Sequence, residues 1–313
     1  MMALFVTLLL LSLNLVWGHK IVVTSKVDYP SQVFVFGFHR GCTTFVQRLL
    51  NCHRDVTVWG ENVGIFGQLR LLQEKYAQSP ARKVDIEKYQ DFSEFHDHFV
   101  AWANPFDGDE FAVQIGHLFE SLYVTSPNPK GVWGFKEIRD LKLEDINFLF
   151  KIFPNCRLVL PVRHPRDIIL SIYFSQWGID EFSGSVKTTV RRLLKEYLAG
   201  IETFLEVSDQ RNHLVKIINI ESINYRTSYS GLFDLLALPK SGVNRKLFQN
   251  VVKTRAGSSY NEFARKVKKS ESKMIHALTD EMIKSVLPKA PRNRALCAIH
   301  SWYPDLPVKL KKR

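Results

Sequence analysis

Short apolar runs alternate along the chain with segments of helical periodicity. Four runs are typical of buried strands: Gln32 to Phe36, Val132 to Phe135, Arg157 to Val162 and Leu214 to Ile220. Between the last two, apolar residues from Val190 to Leu205 recur at helical spacing. Strands separated by helices predict an α/β fold with a parallel sheet and helices on both of its faces.

No repeat, low-complexity block or linker divides the chain. We therefore expect a single domain over residues 30–313, preceded by a separate segment at residues 1–18. Residues 79–112 are rich in Asp, Glu, Phe and His, and we expect a helical insertion over the edge of the sheet there.

The first 17 residues, MMALFVTLLLLSLNLVW, contain no charged side chain and are followed by Gly18. This pattern predicts a cleaved secretory signal, because the run is shorter than the roughly 20 residues that span a bilayer. A short single-pass anchor is the alternative, and contact with a membrane is expected only in that case. Either interpretation places the protein in the secretory lumen, such as the Golgi, or outside the cell. Four cysteines could pair there in three ways: Cys42, Cys52, Cys156 and Cys297.

The composition indicates a globular protein that attracts anions. The chain has 313 residues, 45% of them hydrophobic, and a formal net charge of +12. Nucleotide cofactors, acidic glycans and anionic membranes are therefore candidate partners. Nucleic acid is not expected, because the sequence has no RNA-binding core motif, zinc spacing or recognition-helix pattern.

The segment FGFHRGCTTF, residues 36 to 45, connects the first predicted strand to a helix that should begin near Thr43. Gly37 and Gly41 would allow a tight turn and a close approach of a ligand to the backbone. The first N–H groups of the helix, with the hydroxyls of Thr43 and Thr44, favour a bound phosphate. Cys42 stands where a nucleotide triphosphatase needs lysine, which argues against an ATPase or GTPase.

A second segment, FPNCRLVLPVRHPRDIILSIYF, spans residues 153 to 174. Arg163 ends a predicted strand, and Ser171 follows eight residues later. Pro165 lies between them and favours the first position of a helix. Both side chains could therefore face one ligand.

Together the two segments resemble the sulfotransferase superfamily, whose members use 3'-phosphoadenosine 5'-phosphosulfate (PAPS) and release PAP. The resemblance runs from about Val33 to Leu238 and includes WGENVGIF, WGFKEIRD and IINIESINYR. It implies a P-loop-like parallel sheet flanked by helices, and no metal.

The resemblance assigns the two motifs to the two ends of the donor. Arg40, Gly41, Cys42, Thr43 and Thr44 would hold the 5'-phosphosulfate. Arg163 and Ser171 would hold the 3'-phosphate. The sequence departs from the family pattern at Gly41, where Ser is usual, and at Cys42, where Gly is usual. Cysteine adopts a positive φ less readily than glycine does.

A third basic segment, Lys253 to Gly257, is open to two interpretations. The resemblance implies a late loop in which Arg255 and Gly257 close over the 3'-phosphate. The alternative is a basic turn in solvent.

Sulfuryl transfer needs a base for the acceptor hydroxyl and cations for the charge that develops on the sulfuryl and leaving groups. The resemblance to luminal and bacterial members implies that Glu61, 21 residues after Arg40, is the base. Arg40 and Lys136 would supply the positive charge. His39 and His53 are alternative bases, and Glu61 could instead be a carboxylate at a helix start.

The acceptor is left open by the sequence. A hydroxyl on a glycan suits a basic luminal enzyme and is the first expectation. A protein tyrosine, as in tyrosylprotein sulfotransferases, is the second, and a hydrophobic small alcohol is the third. A noncatalytic protein that binds anions or glycans on the same fold is the alternative from another class.

Overall fold

The computed structural model describes residues 32–78, 82–83, 103–104, 106–124, 131–138, 142–175, 182–223, 228–255, 269–286 and 294–303. The predicted signal or anchor segment lies outside the described residues. Among the described helices, none combines the length and the apolar character needed to cross a membrane.

A five-stranded sheet forms the centre of the described structure, and all of its strand pairs are parallel. Its strands are β1 (Val33–Phe36), β2 (Val56–Trp59), β5 (Val132–Glu137), β6 (Arg157–Val162) and β7 (Val215–Asn219), in the order β2-β5-β1-β6-β7. Strand β1 is central, so the loop that follows it lies between the ends of β5 and β6. The predicted α/β fold with a parallel sheet is confirmed.

Helices flank this sheet and fill most of the remaining described chain. They are α1 (Thr43–Leu50), α2 (Ile65–Gln78), α3 (Gly108–Tyr123), α4 (Leu143–Ile152), α5 (Pro165–Tyr173), α6 (Val186–Gln210), α7 (Ser228–Asp234), α8 (Arg245–Arg255), α9 (Lys269–Val286) and α10 (Arg294–Trp302). Two short 3-10 helices occupy Ile220–Ser222 and Lys240–Gly242.

Each face of the sheet has its own hydrophobic core, because successive side chains of a strand point to opposite faces. Phe34 and Phe36 of β1 belong to one cluster, which includes buried residues of α3, α4 and α6. Val33 and Val35 belong to the other, which includes Val46 and Leu49 of α1. The four strand residues of β1 are fully buried, as expected for a parallel sheet covered on both sides.

The four predicted strands are present with ends within two residues of those expected, and the helix predicted around Val190 to Leu205 is part of α6. Strand β2 was not predicted from the sequence. It has four residues and is an outer strand of the sheet. Only its residues Val56 and Val58 are buried. Two buried positions are too few to give a clear period.

The predicted helical insertion over residues 79–112 falls mainly outside the described residues. Where the segment is described, Arg82–Lys83 and Ala103–Asn104 form a short parallel strand pair, β3 and β4, and α3 begins at Gly108. The helical prediction is therefore wrong for these four strand residues. It rested on composition, which carries no period that separates helix from strand.

The four cysteines are reduced in the structure. Cys52 and Cys156 are buried, Cys42 is half-buried and Cys297 is exposed. Burial raises the pKa of the Cys52 thiol to about 11, so this side chain is a neutral core residue at physiological pH. None of the three possible disulfide pairings is formed.

Candidate functional site

The site residues proposed from sequence follow the carboxyl ends of four neighbouring strands. The loop with Arg40 follows β1, Glu61 follows β2, Lys136 lies near the end of β5, and Arg163 follows β6. Because these strands are parallel, their carboxyl ends lie together along one border of the sheet, the carboxyl edge. Ligands of open α/β sheets bind at this edge.

The loop between β1 and α1 takes its shape from two residues with positive φ. Arg40 has φ 61° and Cys42 has φ 70°. Helix α1 begins immediately afterwards at Thr43, as predicted, and its first turn contains no acidic residue. The N–H groups of this turn therefore face a region suited to an anion.

The glycines of this loop allow a tight turn, as expected, but they do so without a positive φ. Neither Gly37 nor Gly41 has a positive φ. Instead, both positions leave no space for a side chain: a Cβ on Gly37 would lie 2.7 Å from Cγ2 of Thr43, and one on Gly41 would lie 2.9 Å from the carbonyl oxygen of Phe38. The Gly41 N–H donates to that same carbonyl at 2.8 Å, which closes the turn.

Three of the predicted donor-binding residues contact one another directly. Nε of Arg40 donates to Oγ of Ser171 at 2.9 Å, and Nη1 of Arg163 donates to the carbonyl oxygen of Arg40 at 3.0 Å. Ser171 lies in the last turn of α5, which begins at Pro165 as predicted. The tertiary structure thus joins two segments that are 123 to 131 residues apart in sequence.

Positive charge accumulates where these segments meet. Among the described residues, neither Arg40 nor Arg163 forms an ion pair with a carboxylate. Partial burial of the guanidinium, followed by repulsion from Arg163, lowers the pKa of Arg40. Two neighbouring guanidinium groups of this kind are stabilised by an anion bound between them.

Glu61 and Lys136 form an ion pair through Oε1 and Nζ. Lys136 is 7% exposed, and residue alternation along β5 places it on the face that α1 covers. The Glu61 side chain is 28% exposed, so a small molecule can reach the carboxylate. In the order β2-β5-β1-β6, Lys136 on β5 is two strands from the Arg163 loop, and Glu61 after β2 is three strands from it.

Glu137 was not predicted from the sequence, although it is the most buried charged residue of this edge, with no exposed surface. Its Oε2 accepts from the N–H groups of Asn62 at 3.2 Å and Gly64 at 3.0 Å, and Oε1 accepts from the N–H of Ile138 at 2.8 Å. These bonds hold the turn after Glu61, in which Val63 has φ 58°. The available signal was the charged pair at the end of a strand, WGFKE.

The two histidines proposed as alternative bases lie in different places. His39 is half-buried in the loop after β1. His53 is 1% exposed and precedes β2. It therefore lies at the amino end of this strand, whereas Glu61 lies at its carboxyl end. Its Nε2 donates to the carbonyl of Pro239 at 3.0 Å and its Nδ1 accepts from the N–H of Asp55 at 3.1 Å. The alternative that His53 is the base is therefore wrong, because both of its ring nitrogens are hydrogen-bonded to backbone groups in the core.

The late basic segment is helical where it is described. Lys253, Thr254 and Arg255 are the last three residues of α8, so neither a loop nor a turn begins before residue 256. Gly257 lies outside the described residues. The proposed contact of Arg255 and Gly257 with the 3'-phosphate stays a prediction.

The edge of the sheet thus offers guanidinium groups, helix N–H groups and two hydroxyl-bearing threonines on one side, and a carboxylate with its ammonium partner on the other. Thr43 is buried and Thr44 exposed. Within the described ranges, no group of three or more His, Cys, Asp or Glu side chains is arranged to hold a metal ion. The groups present can hold a polyanion and accept a proton.

Comparisons with known proteins give two kinds of similarity. A sequence model described as Sulfotransferase family matches residues 30–220, which is more than half of the 313-residue chain. The search of curated protein sequences finds no match.

Among solved structures, a sulfotransferase from Alicyclobacillus acidocaldarius is 12% identical, with a TM-score of 0.42 over 76% of this chain and 100% of that chain. The sulfotransferase domain of the Synechococcus olefin synthase is 14% identical, with a TM-score of 0.47 over 90% and 99%. Retinol dehydratase in complex with retinol and PAP is 14% identical, with a TM-score of 0.35 over 82% of each chain.

Proposed function

The chain belongs to the sulfotransferase family, and on that premise we propose that it transfers a sulfuryl group from PAPS to a hydroxyl of an acceptor, most readily a carbohydrate. One observation carries the proposal: Arg40 and Arg163 adjoin each other at the carboxyl edge of the sheet and, among the described residues, neither is paired with a carboxylate. A nucleotide with a phosphate at each end of its ribose supplies the missing negative charge.

The residues at this edge fit the two ends of such a donor. Arg163 and Ser171 bind the 3'-phosphate. Arg40, the N–H groups around Gly41 and Cys42, and the first turn of α1 with Thr43 and Thr44 bind the 5'-phosphosulfate. Charge-assisted hydrogen bonds of this kind contribute roughly 1.5–3 kcal/mol each.

Transfer is an in-line displacement at sulfur. The acceptor oxygen forms a bond to sulfur while the bond between sulfur and the 5'-phosphate oxygen breaks, and the electron pair of that bond leaves with PAP. Glu61 accepts the hydroxyl proton. Lys136 is released from Glu61 when the carboxylate becomes neutral, and its ammonium group then stabilises the sulfuryl oxygens, as Arg40 stabilises the leaving phosphate.

Two further proposals concern the acceptor and the compartment. The formal net charge of +12 favours an anionic glycan over a neutral small alcohol. The apolar segment at residues 1–17 supports synthesis into the secretory pathway, where glycan acceptors occur. A tyrosine in an acidic protein segment has the same charge preference and is the second acceptor to test.

The experiment that tests the function is transfer from radiolabelled PAPS to a panel of glycans and tyrosine peptides, with wild type and Glu61→Gln. Glutamine keeps the shape of glutamate and removes its basicity. We therefore expect turnover to fall by roughly 10²–10⁴-fold while the Kd for PAP, measured by calorimetry, changes little.

Glu196→Gln is the matched control, because Glu196 is also ion-paired with a cation, Arg192, but lies on the exposed surface of α6. It should retain wild-type turnover. Full activity of Glu61→Gln on an identified acceptor would disprove the role of this carboxylate. Tight PAP binding by a wild type that is inactive on every acceptor would instead favour the noncatalytic alternative.

A further inference from the structure

One side chain of helix α6 contacts both segments of the candidate anion site, which are the loop with Arg40 and the segment with Arg163. The hydroxyl of Tyr197 donates to the carbonyl oxygen of Arg163 at 2.9 Å. The ring of the same residue packs against Phe38 of the loop after β1, with 4.7 Å between ring centroids. Tyr197 is 4% exposed, so both contacts are within the core.

Phe38 fixes the conformation of the loop that carries Arg40. Its carbonyl accepts the N–H of Gly41, and its ring lies in a space on α6 between Tyr197 and Phe204. Gly200 leaves that space open, since a Cβ there would approach the Phe38 ring to 2.4 Å. The position of α6 therefore determines where the loop lies.

The two guanidinium groups need such support because they repel each other. Nη1 of Arg163 is directed at the Arg40 carbonyl, and Nε of Arg40 at Ser171, but each of these bonds joins one partly exposed segment to another. The contact with Tyr197 connects the backbone at Arg163 to α6, the longest of the described helices. That helix has 25 residues and is anchored in the core by Val190, Leu194 and Ile201, among others.

The hydroxyl of Tyr197 is well suited to this contact. Burial, followed by the negative charge of Glu221, raises the pKa of Tyr197. The group therefore keeps its proton and stays a donor at physiological pH. Phenylalanine fits the same space and lacks only the hydroxyl.

We infer that Tyr197 is a positioning residue for donor binding: it holds the Arg163 backbone and the Phe38 turn in one register, so that both arginines reach the same nucleotide. This role rests on the proposed function. It differs from catalysis, because Arg163 is assigned to the 3'-phosphate, which is remote from the bonds that change.

The test measures the Kd for PAP by calorimetry, and KM and kcat for PAPS, in wild type, Tyr197→Phe, Arg163→Ala and the double variant. A contact that binds substrate and transition state alike changes KM and leaves kcat unaltered. We expect Tyr197→Phe to raise the Kd and the KM roughly 3- to 10-fold with kcat within about twofold of wild type. In the Arg163→Ala background, the same substitution should have little further effect on the Kd, because the two residues act as a unit.

Tyr76→Phe is the control, since Tyr76 donates to the carbonyl of Phe106 at 3.4 Å, away from the sheet edge, and it should retain wild-type affinity. If Tyr197→Phe does not fold, Phe38→Leu removes the ring contact from the other side and should raise the Kd in the same way. An unchanged Kd in the folded variant, or losses that add in the double variant, would overturn the positioning role while leaving the proposed function intact. Absence of PAP binding by wild type would overturn both.

Discussion

At the scale of single residues, the candidate anion loop contains two backbone conformations that are unfavourable for their side chains. Arg40 and Cys42 both have φ near the left-handed region, where a Cβ approaches the following carbonyl. Such conformations persist only where the surrounding structure enforces them, and they concentrate at functional sites. Cysteine at position 42, where the family pattern has glycine, therefore adds a cost in free energy to this loop conformation.

Replacing Cys42 by glycine should stabilise the protein. Relief of the left-handed strain outweighs the larger entropy of glycine in the unfolded chain, so we expect the free energy of unfolding to rise by about 0.5–1 kcal/mol. Urea denaturation monitored by circular dichroism measures this change. Cys42→Ala keeps the Cβ and is the control, and an alanine variant as stable as the glycine variant would show that the strain is not the cause.

At the scale of elements, the helices of the site begin at positions that local sequence specifies. Helix α5 starts at Pro165, and Nδ1 of His164 accepts from the N–H of Arg166 as its cap. Helix α3 starts with a capping box, in which Asp107 Oδ1 accepts from the N–H groups of Asp109 and Glu110 at 2.9 Å, and Glu110 Oε2 accepts from the N–H of Asp107 at 3.0 Å. Tyr123 at the other end of α3 donates to Asn62, next to Glu61.

Removal of the cap of α3 should destabilise the fold without altering the anion site. Asp107→Ala leaves two helix N–H groups without their acceptor, which costs about 1 kcal/mol in a typical N-cap. Asp107→Asn retains an acceptor and should cost much less. Thermal denaturation of the two variants distinguishes the cap from the charge, because an equal loss in both would assign the effect to the carboxylate charge near the helix start.

At the scale of the whole molecule, the proposed compartment depends on residues 1–18, which precede the described structure. Expression in a eukaryotic secretory host with the natural N-terminus should give a secreted protein that begins near His19 or Lys20, as determined by N-terminal sequencing. Leu10→Arg interrupts the apolar run and should abolish export. Cytosolic wild-type protein that retains Met1 would contradict the signal, and membrane-bound protein that retains it would favour the anchor.

Four of the five strands of the central sheet, the starts of α1 and α5, and the family resemblance could be predicted from the sequence alone. Strands such as Val33–Phe36 are buried on both faces, so they appear in the sequence as continuous apolar runs. Such a run is recognisable without knowing which strands pair with it. The starts of α1 and α5 were equally local, because a glycine-rich turn and a proline act on their immediate neighbours. Strand β2 escaped notice because an edge strand buries only half of its residues.

Which of the proposed residues share a site depends on the packing of the chain and could not be predicted from sequence patterns. His53 and Glu61 are eight residues apart in the chain, yet they lie at opposite ends of β2, because the strand runs between them. Arg40 and Ser171 are 131 residues apart and are hydrogen-bonded. The segment WGFKE marks Glu137 as part of a charged pair at a strand end, but its contacts and those of the Tyr197 hydroxyl are not predictable locally, because their partners include backbone groups of distant segments. Contacts of that kind depend on the order of strands in the sheet and the placement of α6, and these are properties of the packed chain.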